Sequence, residues 1–251
     1  MSLLLARRRP LLFPTDAAAA GYADEVLADN PLAYWRFEET SGETVADEVG
    51  TNDGTVFGAD LNVSGPAATG SAASFDGTDD YIDVGTLGTF GSSLFGGVTY
   101  EFLFRTSSTA RQYMCGTLNG GARGAFAGVL VNDTDNTGRL LAIARSTDAM
   151  RRRYTSSSNL NDGEWRHFAA TLSDGSSDWD LYIDGQLDNG TTRNDSLGAG
   201  GDFEHGFLWG GLNNQGTPGL FYGGYLDEPA LYDKVLDPAR ILAHAQAAGV
   251  A

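Results

Sequence analysis

The strongest constraint on this chain is how often it is made to turn. NDGT (52–55), TDNTG (134–138), NDGE (161–164), SDGSSD (173–178) and DNGTT (188–192) interrupt it at short intervals. Asn-Gly and Asp-Gly pairs accept the left-handed backbone that tight hairpins need, so each tract reads as a chain reversal. Between them lie segments with the two-residue alternation of strands. These are AYWRFEE (33–39), SFDGTDDYIDVG (74–85), VTYEFLFRT (98–106), GVLVND (128–133), RLLAIAR (139–145), WRHFAATL (165–172), WDLYIDGQ (179–186), HGFLWGG (205–211) and GYLDEPALYD (224–233). About a dozen short strands at this spacing predict an all-β antiparallel sandwich. An excess of Asp over Glu, 24 against 9, agrees, because Asp serves turns and Glu serves helices.

Two helices are expected, one near each end. YADEVLADN (22–30) has Asp24 and Glu25 in its first turn and Pro31 beyond its end. Asp237 caps a second helix, Pro238 takes its first turn, and ARILAHAQAA runs to Gly249. The chain therefore divides into an arm (1–20), a helix and lead-in (21–32), a sandwich (33–236) and a C-terminal helix (237–251). No internal repeat or linker separates further domains.

Charge and cysteine content narrow the function. A formal net charge of -17 argues against nucleic acid as a partner and suits a divalent cation. No stretch approaches the ~18 apolar residues of a membrane span. Arg7, Arg8 and Arg9 follow the first leucines instead of preceding an apolar run, the wrong order for a secretory signal. The lone cysteine, Cys115, is expected to be a small buried hydrophobe.

Four segments in order carry a resemblance: 33–56, 74–85, 162–187 with its WRHFAATL…LYIDG hairpin, and 222–245. Together they resemble the laminin-G-like branch of the concanavalin A-like lectin/glucanase superfamily. The resemblance covers most of the chain and implies a two-sheet antiparallel jelly-roll sandwich. It departs at Pro229, where the closing strand usually has a β-former. Proline lacks an N–H, so an edge or a bulge is expected there. Glycosidases of this superfamily carry paired carboxylates on one strand, but Glu101 is followed on its own face by Leu103 and Arg105. No catalytic residue is expected. His167 matches a strand histidine of the family and is expected to be packed and hydrogen-bonded.

The resemblance also implies a structural calcium where the closing strand meets the N-terminal turn, matching Asp227, Asp47 and Asn52. Sugar binding calls for aromatics beside amides on loops, and Arg111, Tyr113, Asn213, Asn214 and Gln215 fit that description. Trp35, Trp165, Trp179 and Trp209 are expected in the core. In the arm, Leu3, Leu4, Leu5, Leu11, Leu12 and Phe13 flank Arg7, Arg8 and Arg9. Apolar anchors around guanidinium groups suit docking on an acidic protein surface.

The lead-in and arm resemble structural proteins of tailed-phage virions. That resemblance implies a non-catalytic component of a large assembly: capsid decoration, head fibre or tail adhesion. It would sit on the virion's outer surface, contact other subunits, form homo-oligomers and touch cell-surface glycans. Two alternatives stay open, an extracellular carbohydrate-binding lectin module and a glycoside hydrolase.

Overall fold

A computed structural model describes residues 21–87, 97–118, 126–145, 149–173, 178–193, 195–196 and 205–251. The arm, with all nine of its expected docking residues, lies outside this set. Two sheets face each other. The first runs, edge to edge, Gln186–Leu187, Trp179–Ile183, Arg166–Leu172, Val98–Arg105, Gly223–Tyr232, Ser71–Asp76 and Asp60–Ser64, with Ala33–Tyr34 also paired to Gly223–Tyr232. The second runs Asn189–Thr192, Ala149–Thr155, Asn136–Arg145, Phe126–Asp133, Gln112–Leu118, Leu208–Trp209, Tyr81–Asp83, Gly54–Phe57 and Thr44–Val45. Pairing among the described strands is antiparallel, save where Leu212–Asn214 lies parallel to Gln112–Leu118. The expected all-β jelly-roll sandwich is present.

Alternation explains the layers. Phe168, Ala170 and Leu172 enter the core between the sheets, while Ala169 faces outward from the same strand. The core is aromatic. Phe102 sits among Phe168, Trp209 and Phe104 at 5.1, 5.8 and 6.2 Å, and Trp35 meets Trp209 edge-on at 5.9 Å. Trp35, Trp179 and Trp209 are fully buried, as expected, and so is Cys115. Trp165 departs from expectation. It precedes its strand, is half-buried, and lies beside Arg105 instead of in the core.

Two helices, Tyr22–Ala28 and Pro238–Ala247, cover the outer face of the first sheet. Asp237 holds the cap position of the second, but its side chain makes no capping hydrogen bond. Asp184 and Gly185 both take positive φ, 49° and 74°, and turn the hairpin into Gln186–Leu187. Pro229 lies on a central strand, not an edge. Register slips between Asp227 and Ala230, and Glu228 takes φ 53°. The bulge absorbs the missing N–H, and the Pro229 carbonyl accepts from the Trp35 amide at 3.0 Å.

Candidate functional site

The titratable side chains packed on the first sheet form a closed cluster. Glu101, on Val98–Arg105, is wholly buried. Its carboxylate accepts from Tyr22 Oη at 3.2 Å and Tyr232 Oη at 3.0 Å. His167 Nε2 and His244 Nδ1 each lie 2.8 Å from Oε1. Burial would raise the Glu101 carboxyl, but His244 and His167 hold it well below the usual carboxylate range. Burial would lower His244, yet Glu101 before it and Asp29 behind it raise it. His244 Nε2 faces Glu25 O at 3.1 Å and Asp29 Oδ2 at 3.0 Å, so both ring nitrogens meet acceptors, as an imidazolium requires. His167 is packed and hydrogen-bonded, as expected. The cluster clamps both helices to the sheet and leaves Glu101 no access to a substrate.

The residues expected to bind sugar do not converge. Tyr113 is 3% exposed, too buried to offer a ring face. Arg111 lies over it and pairs with Asp133 at 2.8 Å. Asn213 and Asn214 pair with Thr117 and Leu118, at the far end of the strand that begins beside Arg111, ~13 Å or more along it. Asn213 Oδ1 accepts from the Gly216 amide, and Gln215 Nε2 donates to Asn214 Oδ1. These amides hold their own turn.

The residues expected to hold calcium also separate. Asp47 and Asn52 do meet: Asp47 Oδ2 accepts from the Asn52 amide and side chain at 3.1 and 2.9 Å, and Oδ1 takes the Tyr34 and Val49 amides. That set secures a loop. Asp227 is held elsewhere, by Thr69 Oγ1 at 2.6 Å, and its buried Oδ1 has no partner. Around it lie other oxygens. A Cβ on Gly65 would come within 2.9 Å of Asp227 Oδ2, 3.0 Å of Gly70 O and 3.1 Å of Ser71 O. A Cβ on Gly70, at φ 107°, would meet Glu38 Oε1 at 2.5 Å. Asp227 and the carbonyls of Gly70 and Ser71 thus crowd about Gly65, Thr69 bonds Asp227, and Glu38 sits beside Gly70. Burial, then Glu228, push the Asp227 carboxyl up to about 9. Oxygens of these kinds are those a hard cation takes, and the carboxylate nearby is Glu38, not Asp47.

Two surface features went unread in the sequence. Ile82 enters the core, so Tyr81 and Asp83 face outward from the second sheet. Phe57 is paired with Tyr81 and stacks on it at 4.5 Å and 14°; Phe221 continues the row at 6.1 Å from Tyr81. Phe57 is 42% exposed and edges a hollow of about 420 Å³ with Asn52, Asp53, Thr55 and Asp83. At the end of the first sheet, a cleft of about 540 Å³ includes Arg105, Tyr225, Thr106, Gln112 and Asp76.

Against this geometry, the family comparison is decisive. The model of the concanavalin A-like lectin/glucanases superfamily named Laminin_G_3 matches residues 76–242. The chain belongs to that family. Solved structures similar to this Laminin_G_3 domain include domain 4 of an extracellular arabinanase of Geobacillus stearothermophilus, in complex with arabinotriose. It is 16% identical, with TM-score 0.58, over 86% of this chain and 98% of that one. The binding domain of Paraclostridial Mosquitocidal Protein 1 is 17% identical, with TM-score 0.61, over 87% of this chain and 52% of that one. Trypanosoma rangeli sialidase is 14% identical, with TM-score 0.57, over 85% of this chain and 32% of that one. The chain thus spans about a third of the sialidase and half of the toxin domain. No curated protein matched it.

Proposed function

We propose that the chain is a non-catalytic carbohydrate-binding domain whose platform is the stacked row Phe57, Tyr81 and Phe221. The observation that carries this reading is the row itself. Rings that stack across strands and stay open at one end give a sugar's C–H face an apolar seat, while Asp83, Asp53 and Asn52 offer hydrogen bonds to its hydroxyls. A neighbour of the same fold solved with arabinotriose, and a mosquitocidal-protein domain described as a binding domain, support it. Absence of catalysis is part of the proposal and rests on the enclosure of Glu101.

Calcium belongs to the same reading. Asp227, Glu38, Thr69 and the carbonyls of Gly70 and Ser71 would hold it. When bound it supplies positive charge that lets Asp227 ionise, which pins the closing strand to the loop before Ser71–Asp76.

The test is a screen of immobilised saccharides with the full chain and with Phe57→Ala and Tyr81→Ala. Binding that falls at least tenfold in both folded variants supports the platform. Binding indifferent to both, or turnover of a bound saccharide, counts against it.

A second reading keeps the domain in a virion or other assembly, delivered by residues 1–20. One observation favours it. Tyr22, two residues beyond 1–20, is buried and bonded to Glu101, so the body offers a firm attachment for a segment that precedes it. Deleting 1–20 should abolish co-sedimentation with particles and leave saccharide binding intact. Unchanged co-sedimentation would remove this reading.

A further inference from the structure

We propose that the cleft at the end of the first sheet is a second binding site, selective for a short saccharide bearing a carboxylate or sulfate. It goes beyond the aromatic row and does not need it. Strand register brings three side chains together here. Tyr225 is paired with Arg105, and Trp165 precedes the strand on Arg105's other side, so the three side chains line up across adjacent strands. The guanidinium carbon lies 4.1 Å from the Tyr225 ring centroid and 5.5 Å from that of Trp165. Contact with both rings holds the guanidinium in place, and its N–H groups are left for a partner.

Several other polar groups of the cleft are already engaged. Thr106 Oγ1 donates to Gly223 O at 2.6 Å, and Gln112 Oε1 accepts from the Gly223 amide at 3.1 Å. Ser108 Oγ accepts from the Ala110 amide, and Asp76 Oδ1 takes the Thr78 and Asp79 amides. Arg105 differs: among the described residues, no carboxylate or carbonyl takes its N–H groups. A half-buried fork held against two rings and without a protein acceptor suits a planar or tetrahedral oxyanion. Gly77, Gly223 and Gly224 lie along the wall, and Ser74, Ser107 and Ser108 supply hydroxyls of the kind a sugar ring pairs with. The chain's net charge of -17 repels a long polyanion, so the ligand class is a short acidic saccharide, not a nucleic acid or an extended acidic polymer.

The experiment is a saccharide array of matched neutral and acidic pairs on several skeletons, including lactose, 3′-sialyllactose and 3′-sulfated lactose. Titrations in solution follow for each hit, with a single-stranded DNA oligomer as competitor. The native chain should prefer acidic members at least tenfold. Arg105→Gln should reduce them to the neutral level. Arg105→Lys, which keeps the charge and loses the fork, should fall between. Phe57→Ala should retain the acidic preference. Preference for sialyl or for sulfated members identifies the anion, and either supports the proposal. Equal binding within pairs overturns it, as does acidic binding unchanged in a folded Arg105→Gln, displacement by DNA at equal concentration, or loss of acidic binding in Phe57→Ala. Loss of the neutral sugars alone in Phe57→Ala separates the fate of the aromatic platform from that of this cleft. Thermal melting of each variant reports folding, and Arg105→Lys serves if Arg105→Gln does not fold.

Discussion

The two outer faces of the sandwich treat polarity in opposite ways. On the first sheet, helices seal a carboxylate, two imidazoles and two phenols away from water. On the second, Phe57, Tyr81 and Phe221 stay at the surface. Hydropathy alone would exchange them. The difference teaches that burial follows which elements cover a face, and that an ionised group tolerates it when every acceptor is met. Chemistry available to a ligand is then sought where apolar area remains open, not where the unusual charges are.

The largest effect should come from breaking the sealed face. Glu101→Gln leaves His244 and His167 facing a neutral amide, and removal of one buried partner costs about 3–5 kcal/mol. Denaturant unfolding should register it, and saccharide binding at Phe57 should survive in whatever fraction stays folded. A loss under about 1 kcal/mol would mean that the clamp is ornamental.

Next comes the cation. At neutral pH and without calcium, Asp227 is protonated, so Asp227→Asn should cost about 1 kcal/mol or less. Calcium at a hundredfold over Kd should add about 2.7 kcal/mol to the native chain and nothing to the variant. Equal gains in both would place the ion elsewhere.

A pH series sharpens the same contrast. The Glu101 value is lowered on folding, so its contribution is present above the unfolded value of about 4.3 and lost as pH falls through the folded one. His244 is raised, so its contribution is present below about 6.5 and lost as pH rises through its folded value. Stability should therefore decline from pH 6 to pH 9, and less steeply in His244→Gln. Asp227, also raised, contributes in the same direction, which makes the difference between the two proteins the quantity to read. The smallest effect belongs to the open face: Phe57→Ala should change stability by under about 1 kcal/mol, because the residue is 42% exposed and outside the core. A larger loss would recast the row as core.

How far the sequence led depended on range. The Asp184-Gly185 turn, the alternation of WRHFAATL and the buried tryptophans are local signals, and they were legible. The bulge at Pro229 was readable from a missing N–H, though its central position was not. Arg111 and Asn213 looked alike as loop polar residues, but strand register sets them apart. The contacts of Glu38 and Asp227 with the loop of Gly65 to Gly70 have no marker in the sequence. The aromatic row joins residues 57, 81 and 221, which only sheet order brings together. One hint was present: in YIDV, Tyr81 shares its face with Asp83 and opposes Ile82 and Val84, the signature of an exposed ring.

The clamp draws on residues 22, 101, 167, 232 and 244, and so on nearly the whole span of the polypeptide. During synthesis, Glu101 emerges long before His244. Until the helix Pro238–Ala247 leaves the ribosome, the sheet can form only with that carboxylate hydrated or half-answered. A product that stops before residue 237 would lack His244 and carry a less fully answered charge at its centre.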